Sequence, residues 1–180
     1  MSMLKVVSAL IVMALTTVAP ARAADAPSIA PHLGTPMTAE DIAKWDITIF
    51  PDGRGLPEGH GTAADGKVLY DKQCATCHGE GGRGGTAEEL ITEGGALTDE
   101  AASKAIGPYW PFATTVFDFV RRSMPPNAPG SLTPDQLYAV TAYLLAANKV
   151  IAETDEMNAK TLPAVKMPNR DGFTWIDVKK

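Results

Sequence analysis

Two cysteines and a histidine stand close enough together to do chemistry as a unit: Cys74-Ala75-Thr76-Cys77-His78. This is the C-x-x-C-H pattern of covalent haem attachment. Thiols one helical turn apart reach the two vinyl groups of the porphyrin, and the adjacent imidazole then falls beneath the iron as its proximal ligand. The chain holds no other cysteine, so the rival uses of the pair are few. A structural zinc site needs a fourth ligand, for which only His32, His60 or a carboxylate remains, and no second Cys or His pair stands at short spacing. A thioredoxin-like redox pair belongs in a βαβ pattern that the sequence lacks. The expectation is one haem c per chain, attached at Cys74 and Cys77.

A haem that only carries electrons needs a second axial ligand, and a Met thioether there raises the reduction potential relative to His. After His78 the methionines are Met124, Met157 and Met167. Met124 comes between the haem motif and the last strong helical pattern, and Pro125 and Pro126 stiffen the turn that carries it. It is the expected ligand, with Met167 and His60 as the other donors. An empty sixth position would instead point to a peroxidase-like or ligand-sensing haem. Arg121 and Arg122 suit haem propionates, a docking partner, or plain solvent at a helix C-terminus. Tyr109 and Trp110 suit either the wall of the haem crevice or the core. No Ser/His/Asp set, phosphate loop or carboxylate pair points to catalysis by the chain alone.

The elements that must position these residues are short. Thr38 caps a helix running to about Lys44, and Trp45 to Phe50 alternates with period 2 as a short extended segment. Pro51 to Gly61 reads as loop. A helix from about Ala64 to Cys74 leads into the motif, and Gly79 to Gly85, with five glycines in seven residues, must be loop. Thr86 and Glu89 have capping-box spacing for a brief helix ending near Gly94-Gly95, and Thr98, Asp99 and Glu100 can start another turn. Pro111 opens a helix to about Ser123, with Phe112, Val116, Phe119 and Val120 at helical spacing. The clearest helix has Thr133 as cap, Pro134 first and Gln136 closing the box. Its stripe is Leu137, Val140, Thr141, Leu144 and Leu145, and it ends near Asn148. The pattern predicts an all-α domain over residues 61–150, of about four to five short helices around one haem, with irregular extensions over 24–60 and 151–180. Phe173-Thr174-Trp175-Ile176 closes a tail that lies on the domain or on a partner.

Residues 1–23 read as a signal peptide: Lys5 near the start, an apolar run from Val6 to Val18, and Ala21-Arg22-Ala23 before the cut. The run is roughly 13 residues, short of the ~20 a spanning helix needs. Cleavage after Ala23 gives a periplasmic chain with no membrane span. Of 16 basic residues the mature chain loses Lys5 and Arg22, leaving 14 against 21 acidic ones, a formal charge of −7. That balance argues against nucleic acid or an anionic membrane as partner and is compatible with docking on a basic protein face.

A capped helix, C-x-x-C-H, a glycine loop, Met-Pro and a final amphipathic helix resemble a class I cytochrome c over about Gly61 to Val150. A narrower resemblance spans nearly the whole mature chain. Trp45-Asp46-Ile47-Thr48-Ile49-Phe50-Pro51-Asp52-Gly53, Tyr109-Trp110-Pro111-Phe112-Ala113-Thr114-Thr115, Arg121-Arg122-Ser123-Met124-Pro125 and Met167-Pro168-Asn169-Arg170-Asp171-Gly172-Phe173 are similar to SoxD, the cytochrome subunit of sulfane dehydrogenase. The resemblance implies Cys74 and Cys77 as attachment sites, His78 and Met124 as axial ligands, and the flanking segments as partner contacts. It also implies electrons received from a molybdenum-cofactor subunit, SoxC, in periplasmic thiosulfate oxidation and passed to another cytochrome c. Some members carry a second haem domain; this chain has a single motif. Cytochrome subunits of sulfite dehydrogenases are similar over the haem domain, and a free electron shuttle is the simpler alternative.

Overall fold

Two capped helices cross at the centre of the molecule and bring the haem motif to their junction. The computed structural model describes residues 34–92, 97–98 and 102–174. Contacts divide the chain after Thr38, and Ala39–Lys180 contains every element named below. The expected signal peptide, residues 24–33 of the N-terminal extension, Gly94-Gly95, the Asp99-Glu100 pair and Trp175-Ile176 lie outside the described residues.

The first crossing helix, α2 (Ala63–Gln73), starts where the Thr62 hydroxyl accepts from the Asp65 amide. The second, α6 (Pro134–Ala147), starts at a full capping box: Thr133 Oγ1 accepts from Gln136 N, and Gln136 Oε1 accepts from Thr133 N. Leu137, Tyr138, Ala139, Val140, Thr141, Ala142, Leu144 and Leu145 are all buried, so α6 is enclosed nearly all round rather than along one stripe. Around this pair stand α1 (Ala39–Trp45), α3 (Ala75–His78), α4 (Ile106–Tyr109) and α5 (Ala113–Ser123). Six α-helices and one two-stranded sheet among the described residues make the all-α reading correct. The sheet joins β1 (His60–Thr62) antiparallel to β2 (Glu156–Asn158), with Gly61 opposite Met157.

The core gathers Tyr70, Val116, Phe117, Leu137, Tyr138, Val140 and Leu145 together with Met157 of β2 and with Leu162 and Met167 from beyond it. Each of those three tail side chains adds about 1.5–3 kcal/mol by burial. The tail therefore lies on the domain, through Met167 at least.

Four local expectations need correction. Trp45 to Phe50 forms no strand; Asp46 Oδ1 accepts from Thr48 N, and Phe50 N donates to the Arg54 carbonyl, so the segment turns upon itself. Thr86 to Thr92 forms no helix, because its amides are used elsewhere: Ala87 N donates to Cys77 O, and Leu90 N to Gly82 O. The helix expected from Pro111 begins at Ala113. On it Phe117, fully buried, takes the core place expected of Phe119, which is 47% exposed.

Candidate functional site

Tyr70 and Cys74 are four residues apart and share one face of the α2 line. The Cys74 amide still donates to Tyr70 O at 2.8 Å, and the amides of Cys77 and His78 both turn back to Cys74 O, at 3.1 and 3.0 Å. Two tight turns thus present Cys74, Cys77 and His78 to one cleft. From α5 and the stretch after it come Val120, Met124, Pro125 and Pro126, and α6 supplies Val140 and Leu144. Thr86, Ala87 and Leu90 complete the lining. The cleft has a volume of about 250 Å3 and opens to solvent.

His78 is oriented by the chain that returns past it. Its Nδ1 lies 2.9 Å from the carbonyl oxygen of Glu88. A carbonyl only accepts, so Nδ1 carries the hydrogen and Nε2 keeps its lone pair for a metal. Burial, then the neighbouring Cys77, pushes the Cys74 thiol up to about 11; it stays a protonated thiol at neutral pH. Cys77 is exposed at the rim. Among the described residues no group of three or more His, Cys, Asp or Glu gathers as metal ligands.

The structure brings Cys74, Cys77, His78 and Met124 together and leaves the other candidates apart. Met157 and Met167 are 3% and 2% exposed and belong to the core. His60 stands on β1 with its Nδ1 4.0 Å from Asp135 and 67% of its side chain exposed. Arg121 donates to the Ile47 carbonyl, and Arg122 pairs with Asp118 at 2.9 Å. Tyr109 meets Phe173 edge-on, and Trp110 meets Phe119 in the same way. None of these lines the cleft. Sequence reasoning missed Tyr70, whose only signal is its place four residues before Cys74, and the Glu88 carbonyl, a backbone atom that leaves no signal.

Apolar walls, two thiols, an imidazole with a free Nε2 and a thioether from a separate element fit a haem. No helix among the described residues is long and apolar enough to cross a membrane.

Comparison with known proteins gives three matches. Residues 61–144 match the family described as cytochrome c oxidase, cbb3-type, subunit III. Thiosulfate dehydrogenase of Stutzerimonas stutzeri (strain A1501) is 30% identical over 128 residues, 66% of this chain and 40% of that protein. The chain thus spans less than half the length of that relative. The crystal structure of the sulfane dehydrogenase SoxCD from Paracoccus pantotrophus matches with a TM-score of 0.75 and 37% identity, over 82% of this chain and 73% of that one.

Proposed function

Since the chain belongs to the SoxD-like family of c-type cytochromes, a haem-binding family, we propose that it is the monohaem electron-transfer subunit of a periplasmic sulfane dehydrogenase. Cys74 and Cys77 would hold one haem c through thioether bonds, and His78 Nε2 and Met124 Sδ would ligate its iron. When bound, it supplies a one-electron iron(III)/iron(II) couple. The residues do the rest: Glu88 O fixes the His78 ring, Met124 supplies a soft ligand that favours iron(II), and Val120, Val140 and Leu144 keep water from the cleft. The observation that carries this reading is the meeting of the Cys74, Cys77 and His78 cluster with the sequence-distant Met124 at one cleft.

A molybdenum-cofactor subunit of the SoxC kind donates electrons, and a second cytochrome c accepts them. The similarity to SoxCD supports this, as do the exposed aromatic side chains of the segments that flank the haem domain in sequence: Trp45, 78% exposed, and Phe173, 53% exposed. Export rests on residues 1–23, and N-terminal sequencing of the mature protein should begin at Ala24.

The test expresses the chain with haem-maturation machinery and a SoxC-like partner. A pyridine haemochrome spectrum with one haem per chain, and a molybdenum protein that co-purifies and oxidises sulfane sulfur only when the cytochrome is present, are expected. A haem protein that purifies alone and leaves the partner's rate unchanged would make it a free shuttle. Oxidation of sulfite in place of sulfane sulfur would reassign the substrate and leave the electron-transfer role standing.

A further inference from the structure

The hydroxyl of Tyr70 has no task in the account so far. The Tyr70 ring is fully buried on α2, lines the haem cleft and packs on Tyr143 with centroids 5.0 Å apart. A phenylalanine would fill the same space, and a buried hydroxyl is costly unless it is bonded. Its partner is the carbonyl oxygen of Gly79, 3.0 Å away, in the peptide that joins Gly79 to Glu80, one link past His78. That oxygen also accepts from Gly82 N at 3.2 Å, which uses both of its lone pairs. Burial pushes the phenol up to about 12, so it remains a donor across the ordinary pH range.

Gly79 has φ of +82°, and a Cβ there would run into the backbone carbonyl of Arg83. The chain therefore leaves the histidine through a turn that only glycine takes easily. His78 is bonded on both sides of this turn, through its ring to Glu88 and through the next peptide to Tyr70.

We propose that the Tyr70 hydroxyl is a positioning group for His78: by pinning the Gly79 carbonyl it fixes the turn behind the ligand and keeps Nδ1–H aligned on Glu88 O. It rests on the haem reading above. The hydrogen bond at Nδ1 makes Nε2 a more basic ligand, which favours the ferric state. Loosening the turn weakens that bond, so the reduction potential rises when the hydroxyl is removed.

The experiment compares the haem-loaded wild type with Tyr70→Phe, which keeps the ring and its packing. We expect the visible spectra to match and the reduction potential of the variant to shift upward. Backbone exchange across Gly79–Gly82 should quicken about fivefold, the opening held shut by one neutral hydrogen bond, with α5 and α6 unchanged. Tyr70→Leu, which also removes the packing, should quicken exchange throughout α2 and α6. An unchanged potential with unchanged exchange at Gly79–Gly82 overturns the proposal. So does a uniform rise over the whole chain in Tyr70→Phe, because the hydroxyl then serves the core rather than the ligand. Failure of the underlying reading looks different: the wild type itself would carry no covalent haem, and the positioning role would fall with it.

Discussion

Gly66 on α2 lies so close to the carbonyl oxygen of Ala139 on α6 that no side chain fits between the two backbones. The two helices that frame the haem cleft can cross at this distance only because position 66 has no Cβ. Gly66→Ala should therefore push them apart and destabilise the protein by about 1–3 kcal/mol, although alanine is the better helix former. Denaturant unfolding of the haem-loaded protein measures this, and a stability equal to wild type would mean that the crossing is looser than described.

Met124 and Met167 both stand before a proline, and only Met124 lines the cleft. Met124→Ala should abolish the weak red-region band of Met-to-iron(III) bonding and lower the reduction potential. Met167→Ala should keep the band and lose about 2–5 kcal/mol of stability through the cavity it leaves. Oxidised spectra and unfolding curves of the two variants should separate cleanly; a band lost in Met167→Ala alone would exchange the assignments.

Tyr138 is fully buried and donates to the Pro57 carbonyl at 2.8 Å. Burial pushes its phenol from the ordinary 10.0 up to about 12, against a smaller opposing pull from Arg121. The unfolded phenol gives up its proton first, so this contribution to stability is complete below pH 10 and is lost as pH climbs from about 10 to about 12. Between pH 9 and pH 11.5 the unfolding free energy of Tyr138→Phe should fall less than that of wild type. An equal fall in both proteins would assign the alkaline loss to other groups.

Phe119 and Phe173 are 47% and 53% exposed and rest edge-on against Trp110 and Tyr109. Changing both phenylalanines to serine should weaken binding of the molybdenum subunit by tenfold or more, about 1.4 kcal/mol, as loss of central aromatic contacts does. The haem spectrum and potential should stay put. Binding kinetics on an immobilised partner give the number, and wild-type affinity in the double variant would move the docking surface elsewhere.

The sequence was most legible where one local rule decides the outcome. Thr133, Pro134 and Gln136 set the start of α6, and the C-x-x-C-H spacing placed Cys74, Cys77 and His78 at one cleft. Met124 could be singled out because the proline turn behind it is itself a local signal. Reading failed where distant partners compete for the backbone. Thr86 and Glu89 carry a helix-start pattern, yet the amides of Ala87 and Leu90 are taken by Cys77 and Gly82. The β1–β2 pair joins residues about a hundred positions apart through three residues each, too short for any periodicity to register. Phe117 and Phe119 are the same residue type, and Phe117 is the one that shares the buried face of α5 with Ala113, Val116 and Val120 and meets Tyr138.

The placement of Met157, Leu162 and Met167 bears on how portable the haem unit is. The most familiar stretch of this sequence ends with α6, and a designer grafting the cytochrome onto another protein would naturally cut there. Such a graft would leave the rear wall of the core behind, along with the strand that clips β1 in place. The transplantable piece runs from the turns before His60 to Met167, so any swap of redox modules within this family has to carry its tail along.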